Sequence, residues 1–570
     1  MPSSNVDRPW LFGPRIDLIF GCGVGHAVLT LLLALFRPRM DALQGWLPFL
    51  ILLTGLPHYG ATLERVYSTA AARRRYGRYA AVFGLLVWGA FVATVVSRRG
   101  GSWLVTLYLT WSPWHYAAQN FGLVMMFLRR AGADISTGFR RVIQLSFVFS
   151  FLLVFVNIHR NAPFAVNDPL YAASAARDAV QFVRLGIPDG VAKVLLVCLG
   201  LAYVGVTAFS VVGISRKTEI GKSVPAIVLL SSQSVWFVLP VVLGQTIPEW
   251  VTSAGPAALQ FIWVAIAHSA QYLWISLHFA RMAGRTEATR ASMLRYFGLA
   301  VALGATLWVF PVLLANKTGL SRMPHESGLD MLVAAAVNLH HFLLDGVIWK
   351  LRDAPVRQAL VDGRSEASAP THALTNVAWA RGLVVVAGLF AVGCWVIAAW
   401  EQEVGRRRAV ASGDLERVQV AAKRLAWVGR DGPRIHVAMA KLLQHRGDDE
   451  AAMSEYQRGI DLWPTLQAWV GVGKIREKRS QWTEAQSAYE AALVLEPNHA
   501  STLDDLAHVH AARGNIEEAV KIELRAIYAA PERPDLRRRY DALVMKLPVD
   551  TAGGDERVID VYSGPKDAPR

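Results

Sequence analysis

The sequence predicts an all-α protein in two parts, a polytopic transmembrane helical bundle of about eleven spans followed by a helical solenoid. Three observations predict it. The 570 residues are 53% hydrophobic and only 18% charged, with a mean hydropathy of +0.30, too apolar for a soluble chain of several domains. Apolar runs near the ~20 residues that cross a bilayer recur up to residue 400. Beyond about residue 433 the chain turns charged and repeats itself.

In order, the apolar runs cover about 16–36, 45–63, 79–97, 102–128, 140–158, 192–214, 223–246, 256–280, 294–315, 328–349 and 379–400. Pro48 and Pro57 in the second run and Pro225 and Pro240 in the seventh predict broken or re-entrant helices there. The first run has no cleavage signature of small residues after it and is expected to stay in the mature chain. Cys22, Cys198 and Cys394 stand singly in apolar stretches, which excludes a disulfide framework or a zinc ribbon.

The net charge of +15 belongs to the apolar part. Residues 401–570 hold 26 Lys and Arg against 27 Asp and Glu, so residues 1–400 hold 33 against 17. Basic charge in short loops between spans orients a membrane protein, which argues against nucleic acid as a partner and makes the lipid bilayer the expected one. With the N-terminus inside, 23 basic residues fall in cytoplasmic segments, among them Arg73, Arg74, Arg75 and Arg78, against ten in the opposite loops. An odd number of spans then puts everything after Trp400 outside. The expected location is a bacterial inner membrane with the N-terminus cytoplasmic and the solenoid extracytoplasmic, in the periplasm of a Gram-negative cell.

The expected domains are a transmembrane part at 1–400, a connecting helix or degenerate repeat at 401–432, the solenoid at 433–547 and a disordered tail at 548–570, where too few apolar residues remain to fold. The stretch 353–378, rich in Ala, Ser, Pro and charge, reads as a flexible loop. Within the solenoid, segments ending at Pro464, Pro497 and Pro531 align Ala452 with Ala485 and Ala519, and Gly459 with Ala492 and Ala526, at periods of 33 and 34. Small residues where two helices cross, Tyr456 and Tyr489 one turn on, and a closing proline are what a stacked helical hairpin needs. The position before the turn reads Gly447, Gln481 and Gly514, and a further degenerate unit is expected at Gly413 and Asp414, 34 residues before Gly447 and Asp448. Residues 433–533 resemble the tetratricopeptide repeat (TPR) family. That resemblance implies a concave face that binds a protein or peptide partner and performs no chemistry.

Ionisable side chains inside spans are costly and need a reason. Four segments place a histidine beside a polar residue: LPHYGATLE at His58, SPWHYAAQNFG at His115, AHSAQYLWISLHFAR at His268, and NLHHFLLDGVIWKLR at His340 and His341. On helices, His115 with Gln119 and His341 with Asp345 are i,i+4 pairs, and His268 with Gln271 is an i,i+3 pair. His58, His115, His268 and His340 fall 12 or 13 residues into spans that run the same way, so one layer of imidazoles is expected. The candidate metal ligands are therefore His58, His115, His268, His340 and His341, with Gln119, Gln271, Asp345 and Glu64 available to orient their second ring nitrogens. Histidines without cysteine ligands suit a non-haem iron, with zinc or haem as alternatives. His26, His159 and His278 are read as interhelical hydrogen-bonding groups; His278 lies ~15 Å along the helix from His268.

GLPHYGATLE, WHYAAQ and HSAQYLWISLH are loosely similar to the histidine segments of the Brp/Blh membrane carotene-cleaving dioxygenases. What this implies is a histidine-bound iron at His58, His115 and His268. The chain departs from that family at Tyr59, which interrupts its His-Gly, at Gln271, which stands near a family histidine, and in carrying a TPR tail. The leading expectation is a metal-dependent membrane oxidoreductase acting on a lipid or isoprenoid. The alternatives are a non-enzymatic TPR scaffold or assembly protein and a transporter that uses intramembrane histidines.

Overall fold

The computed structural model describes residues 9–36, 46–97, 99–161, 180, 182–239, 241, 256–282, 289–321, 323–324, 328–363 and 378–547. Most of the loop expected at 353–378 and the whole tail expected at 548–570 lie outside the described residues. Among the described residues the structure is all-helical, with no strand and a single isolated bridge between Arg160 and Ile187. The chain divides into two compact units, Met1–Leu442 and Leu443–Arg570.

In the first unit the helices are α1 (Val24–Phe36), α2 (Leu47–Leu53), α3 (Gly55–Tyr67), α4 (Ala70–Ser97), α5 (Gly101–Arg130), α6 (Thr137–His159), α7 (Asp189–Lys217), α8 (Ile220–Gln233), α9 (Pro256–Met282), α10 (Arg290–Lys317), α11 (Leu329–Ile348), α12 (Ala378–Trp400), α13 (Leu415–Trp427) and α14 (Pro433–His445), the last crossing the unit boundary. Six helices among the described residues are long and apolar enough to cross a membrane: α4, α6, α7, α10, α11 and the run Gly382–Ala411. A pair bent by 60°, Pro14–Gly21 with Val24–Leu32, makes a seventh if it is one span. The four remaining apolar runs differ for visible reasons. The run 45–63 is split at Thr54 into α2 and α3, with Pro57 inside the first turn of α3, and α8 gives way at Ser234 to a π-helical turn. The helices α5 and α9 carry His115, Gln119 and Asn120, and His268, Gln271 and His278, which lower their hydropathy.

Burial ranks these helices. In α11, 83% of the most apolar window is inside the protein, against 17% in α7. The outward face of α7 presents Val194, Val197, Leu201 and Val204, all more than half exposed, an apolar surface that water would not tolerate at this extent. The helix α11 is accordingly the axis of the unit, with α4, α5, α3 and α10 packed against it. The closest approach is between α3 and α10. A Cβ on Gly60 would fall inside the carbonyl oxygen of Ala300, and one on Gly304 inside that of Leu56, so two glycines let the backbones touch. The end of α10 is tied to the last turn of α13 and the segment after it, with Lys317 donating to the Ala426 carbonyl at 2.8 Å and Asn316 to that of Gly429 at 2.5 Å.

The second unit continues with α15 (Asp449–Leu462), α16 (Leu466–Lys478), α17 (Trp482–Leu495), α18 (Ala500–Ala512), α19 (Ile516–Ala529) and α20 (Pro534–Val544), each packed on the next. Ala452, Ala485, Ala492, Ala519 and Ala526 are fully buried. Tyr456 and Tyr489 reach into places where Gly471 and Gly473 leave no room for a methyl group. The position before each turn is a left-handed residue that closes the preceding helix: Gly447 (φ 82), Ser480 (φ 58) and Gly514 (φ 81), with Gly413 (φ 70) at the same spacing earlier. This corrects the alignment on Gln481 by one residue, because the position is set by the left-handed backbone and Gln481 is the N-cap that follows it.

Candidate metal centre

Four helices of the first unit each bring one imidazole to a single cluster: α3 His58, α5 His115, α9 His268 and α11 His341. The crossing at Gly60 and Gly304 seats α3 two residues from His58. On α5, Pro113, two residues before His115, has no N–H to offer the carbonyl of Leu109 four residues back. Asp345 follows His341 by one turn and faces the same way.

The ring centroids of His58, His268, His115 and His341 form a closed quadrilateral. Its edges are 4.9 Å (His58–His268), 4.9 Å (His268–His115), 5.2 Å (His115–His341) and 4.1 Å (His341–His58), with 6.4 Å across from His268 to His341. One ligand atom from each of His58, His268 and His341 lies within 4.8 Å of the others, and the same holds for His115, His341 and Asp345. Opposite ligands at the ~2.1 Å of a metal–imidazole bond are about 4.2 Å apart, so both groups are near closure on an ion.

The hydrogen bonds point the same way. His58 Nε2 and His341 Nε2 face each other at 2.7 Å, while their outer nitrogens are held by hydroxyls, His58 Nδ1 by Ser269 at 3.1 Å and His341 Nδ1 by Thr62 at 2.9 Å. If both Nδ1 atoms donate to those hydroxyls, two lone pairs point at one another and require a cation. Both ring nitrogens of His268 and Nε2 of His115 are buried without a hydrogen-bond partner, which is expensive, and ligation to an ion would satisfy one nitrogen of each ring. Asp345 Oδ2 stands 3.2 Å from His341 Nε2 and 3.7 Å from His115 Nε2. Aromatic rings close the surroundings, Phe342 stacked on His115 at 4.2 Å and Tyr116 4.4 Å from His268.

Of the five candidate ligands, the structure brings four together. His340 is turned away, beside Gly84 of α4 and hydrogen-bonded to the backbone of Ala80, because neighbours on a helix point about 100° apart. Asp345, expected behind the ligands, stands among them. Gln119 and Gln271 do not hold imidazoles: Gln119 donates to Gln271 at 2.7 Å and Gln271 donates to the Gly21 carbonyl at 2.8 Å. Glu64 is buried on α3 six residues past His58, outside both groups. His26, His159 and His278 lie apart, beside Trp236, Thr110 and Phe12 respectively.

The residues that do orient the ligands escaped the sequence reading. They are Thr62, Ser269 and Tyr272, with Trp349 behind Tyr272. Tyr272 is fully buried, donates to Asp345 Oδ1 at 2.9 Å, meets Thr62 Oγ1 at 2.7 Å and receives the Trp349 indole N–H at 3.0 Å. A signal was available, since Thr62 follows His58 and Tyr272 follows His268 by one turn.

No known family model matches the chain. A probable biofilm formation methyltransferase of Pseudomonas putida, WspC, is 34% identical over 91 residues, which are 16% of this chain. The chain spans 22% of that relative's length.

Proposed function

We propose that the protein is a membrane-embedded oxidoreductase with a non-haem iron held by His58, His115, His268, His341 and Asp345, acting on a lipid or isoprenoid that enters from the bilayer. The observation that carries this reading is the pair of Nε2 atoms of His58 and His341 at 2.7 Å, with their outer nitrogens engaged, and with Nε2 of His115 and both ring nitrogens of His268 buried without a hydrogen-bond partner. Four imidazoles and one carboxylate exceed the four ligands of a tetrahedral zinc site and suit an iron that keeps a position free. Rings this close leave no room for a porphyrin among them. An iron there would supply one-electron chemistry; the chain's own part is to fix the imidazoles, keep water out and present an apolar, aromatic wall to the substrate.

On the same reading the chain crosses a bacterial inner membrane eleven times with its N-terminus in the cytoplasm, and the helices of the second unit form a TPR-type solenoid whose concave face takes an extracytoplasmic peptide or protein. Supporting this are the asymmetry of basic residues between loops and the hairpins repeating at 33 and 34 residues. A 91-residue likeness to a methyltransferase, 22% of that protein, supports no methyl transfer here.

Metal analysis of the purified chain tests the reading. About one iron per chain is expected, lost in His115→Ala and in His268→Ala and kept in His278→Ala. A chain that binds no metal would move the function to the solenoid, as a scaffold.

A further inference from the structure

The hydroxyl of Tyr272 is the hub of a hydrogen-bond circuit joining two of the ligands, and the direction of every hydrogen in it can be assigned. When His341 presents Nε2 to an ion, its Nδ1 carries the hydrogen and donates to Thr62 Oγ1 at 2.9 Å. The single hydrogen of Thr62 then goes to Tyr272 Oη at 2.7 Å, in preference to the His58 carbonyl at 3.5 Å. Trp349, a donor only, fills the second lone pair of that oxygen at 3.0 Å. Tyr272 has one hydrogen left, and it goes to Asp345 Oδ1 at 2.9 Å. The circuit closes in one direction, from the ring of one ligand to the carboxylate of another, and it occupies the oxygen of Asp345 that is turned away from the imidazoles.

We propose that Tyr272 is a positioning residue that holds Asp345 to the metal through Oδ2 alone, and so keeps one coordination position open for a small ligand. On the metal reading, the two groups of three, which share His341, give four imidazoles and one carboxylate oxygen, five donors in all. A carboxylate whose second oxygen is free can turn and take the sixth position. Here Oδ1 is engaged by a buried phenol that is itself oriented by Thr62 and Trp349, and the bond is of the charge-assisted kind. The inference rests on the metal reading above and adds to it the reason the centre stays open.

The test uses the full-length chain in detergent, loaded with ferrous iron without oxygen and titrated with nitric oxide, read by iron content and by the electron paramagnetic resonance signal of the nitrosyl form. Tyr272→Phe is expected to hold as much iron as the parent and to bind nitric oxide at least about tenfold more weakly, or ~1.4 kcal/mol. Trp349→Phe, which removes one hydrogen bond to the phenol, is expected to shift binding the same way by less. Unchanged nitric oxide affinity in iron-loaded Tyr272→Phe overturns the inference and leaves the metal reading standing. If Tyr272→Phe does not fold, Trp349→Phe and Thr62→Val decide, and parental affinity in both overturns it. A parent chain that takes up no iron overturns the metal reading itself, and this inference with it.

Discussion

Gly60 and Gly304 sit where α3 and α10 cross, each against a carbonyl of the other helix, so that neither position has room for a single methyl group. What gives way on substitution would be backbone, and His58 is two residues from the contact.

Gly60→Ala should therefore destabilise the protein at or above the upper end of the ~1–3 kcal/mol typical of overpacking, and should lower metal content with it. Gly122→Ala on α5, where nothing lies within 4 Å, is the control and should stay within about 0.5 kcal/mol of the parent. Thermal unfolding in detergent measures both; equal melting temperatures would mean that the crossing is looser than described.

The adjacent histidines on α11 should separate cleanly. His341→Ala is expected to abolish metal binding, because it belongs to both groups of ligands. His340→Ala should retain it. Loss of metal in both variants at equal folded yield would place the centre elsewhere on the helix.

Ser480 holds a left-handed conformation (φ 58) that costs a side chain ~1–2 kcal/mol and a glycine almost nothing. Ser480→Gly should stabilise residues 410–547, expressed as a fragment expected to be soluble and helical, by up to about 1 kcal/mol. A fall in melting temperature would show that the serine contributes something its backbone does not reveal.

Glu523 occupies in the third hairpin the place of Tyr456 and Tyr489, is 1% exposed and leaves Oε1 without a partner. Burial, with Asp504 nearby, pushes its carboxyl up to about 7. An acid with a raised folded pKa holds a proton that the unfolded chain gives up, so stability is greatest at low pH and falls as pH rises from about 4.5 to about 7, by at most ~1.4 kcal/mol per unit for this one group. Asp505, pushed up to about 6 chiefly by burial, adds to the same slope. In Glu523→Gln the fragment should lose much of that dependence; an identical slope would assign it to other groups.

Reporter fusions after Arg130 and after Lys350 should read cytoplasmic, and one after Leu547 extracytoplasmic. A cytoplasmic Leu547 would mean an even number of crossings, with the split run at 45–63 or the run at 223–246 failing to span.

His115, His268 and His341 were legible because each sits in a helix with a polar residue one turn on, and His58 because it falls at the same depth in its span. The choice between His340 and His341 was not, since α11 is buried nearly all round and offers no polar face to fix its phase. Asp345 lies on the right face at i+4 from His341, but the same spacing serves a ligand or a support. Thr62, Ser269 and Tyr272 passed unnoticed because hydroxyls are common in spans and become meaningful only once their partners are known. In the repeats, the left-handed position was hidden by a serine where its counterparts are glycine.

His58 and His341 touch across 283 residues of chain, with His115 and His268 supplied by helices in between. On the metal reading proposed above, no fragment emerging during synthesis would hold more than part of the centre until α11 is made, so an ion would be taken up only by the complete set of helices. An ion that binds only the finished cage also stabilises it, by ~2.7 kcal/mol at a hundredfold excess over its dissociation constant. On that reading, supply of the metal would govern how long the protein survives as well as whether it works, and a starved cell would be expected to clear it.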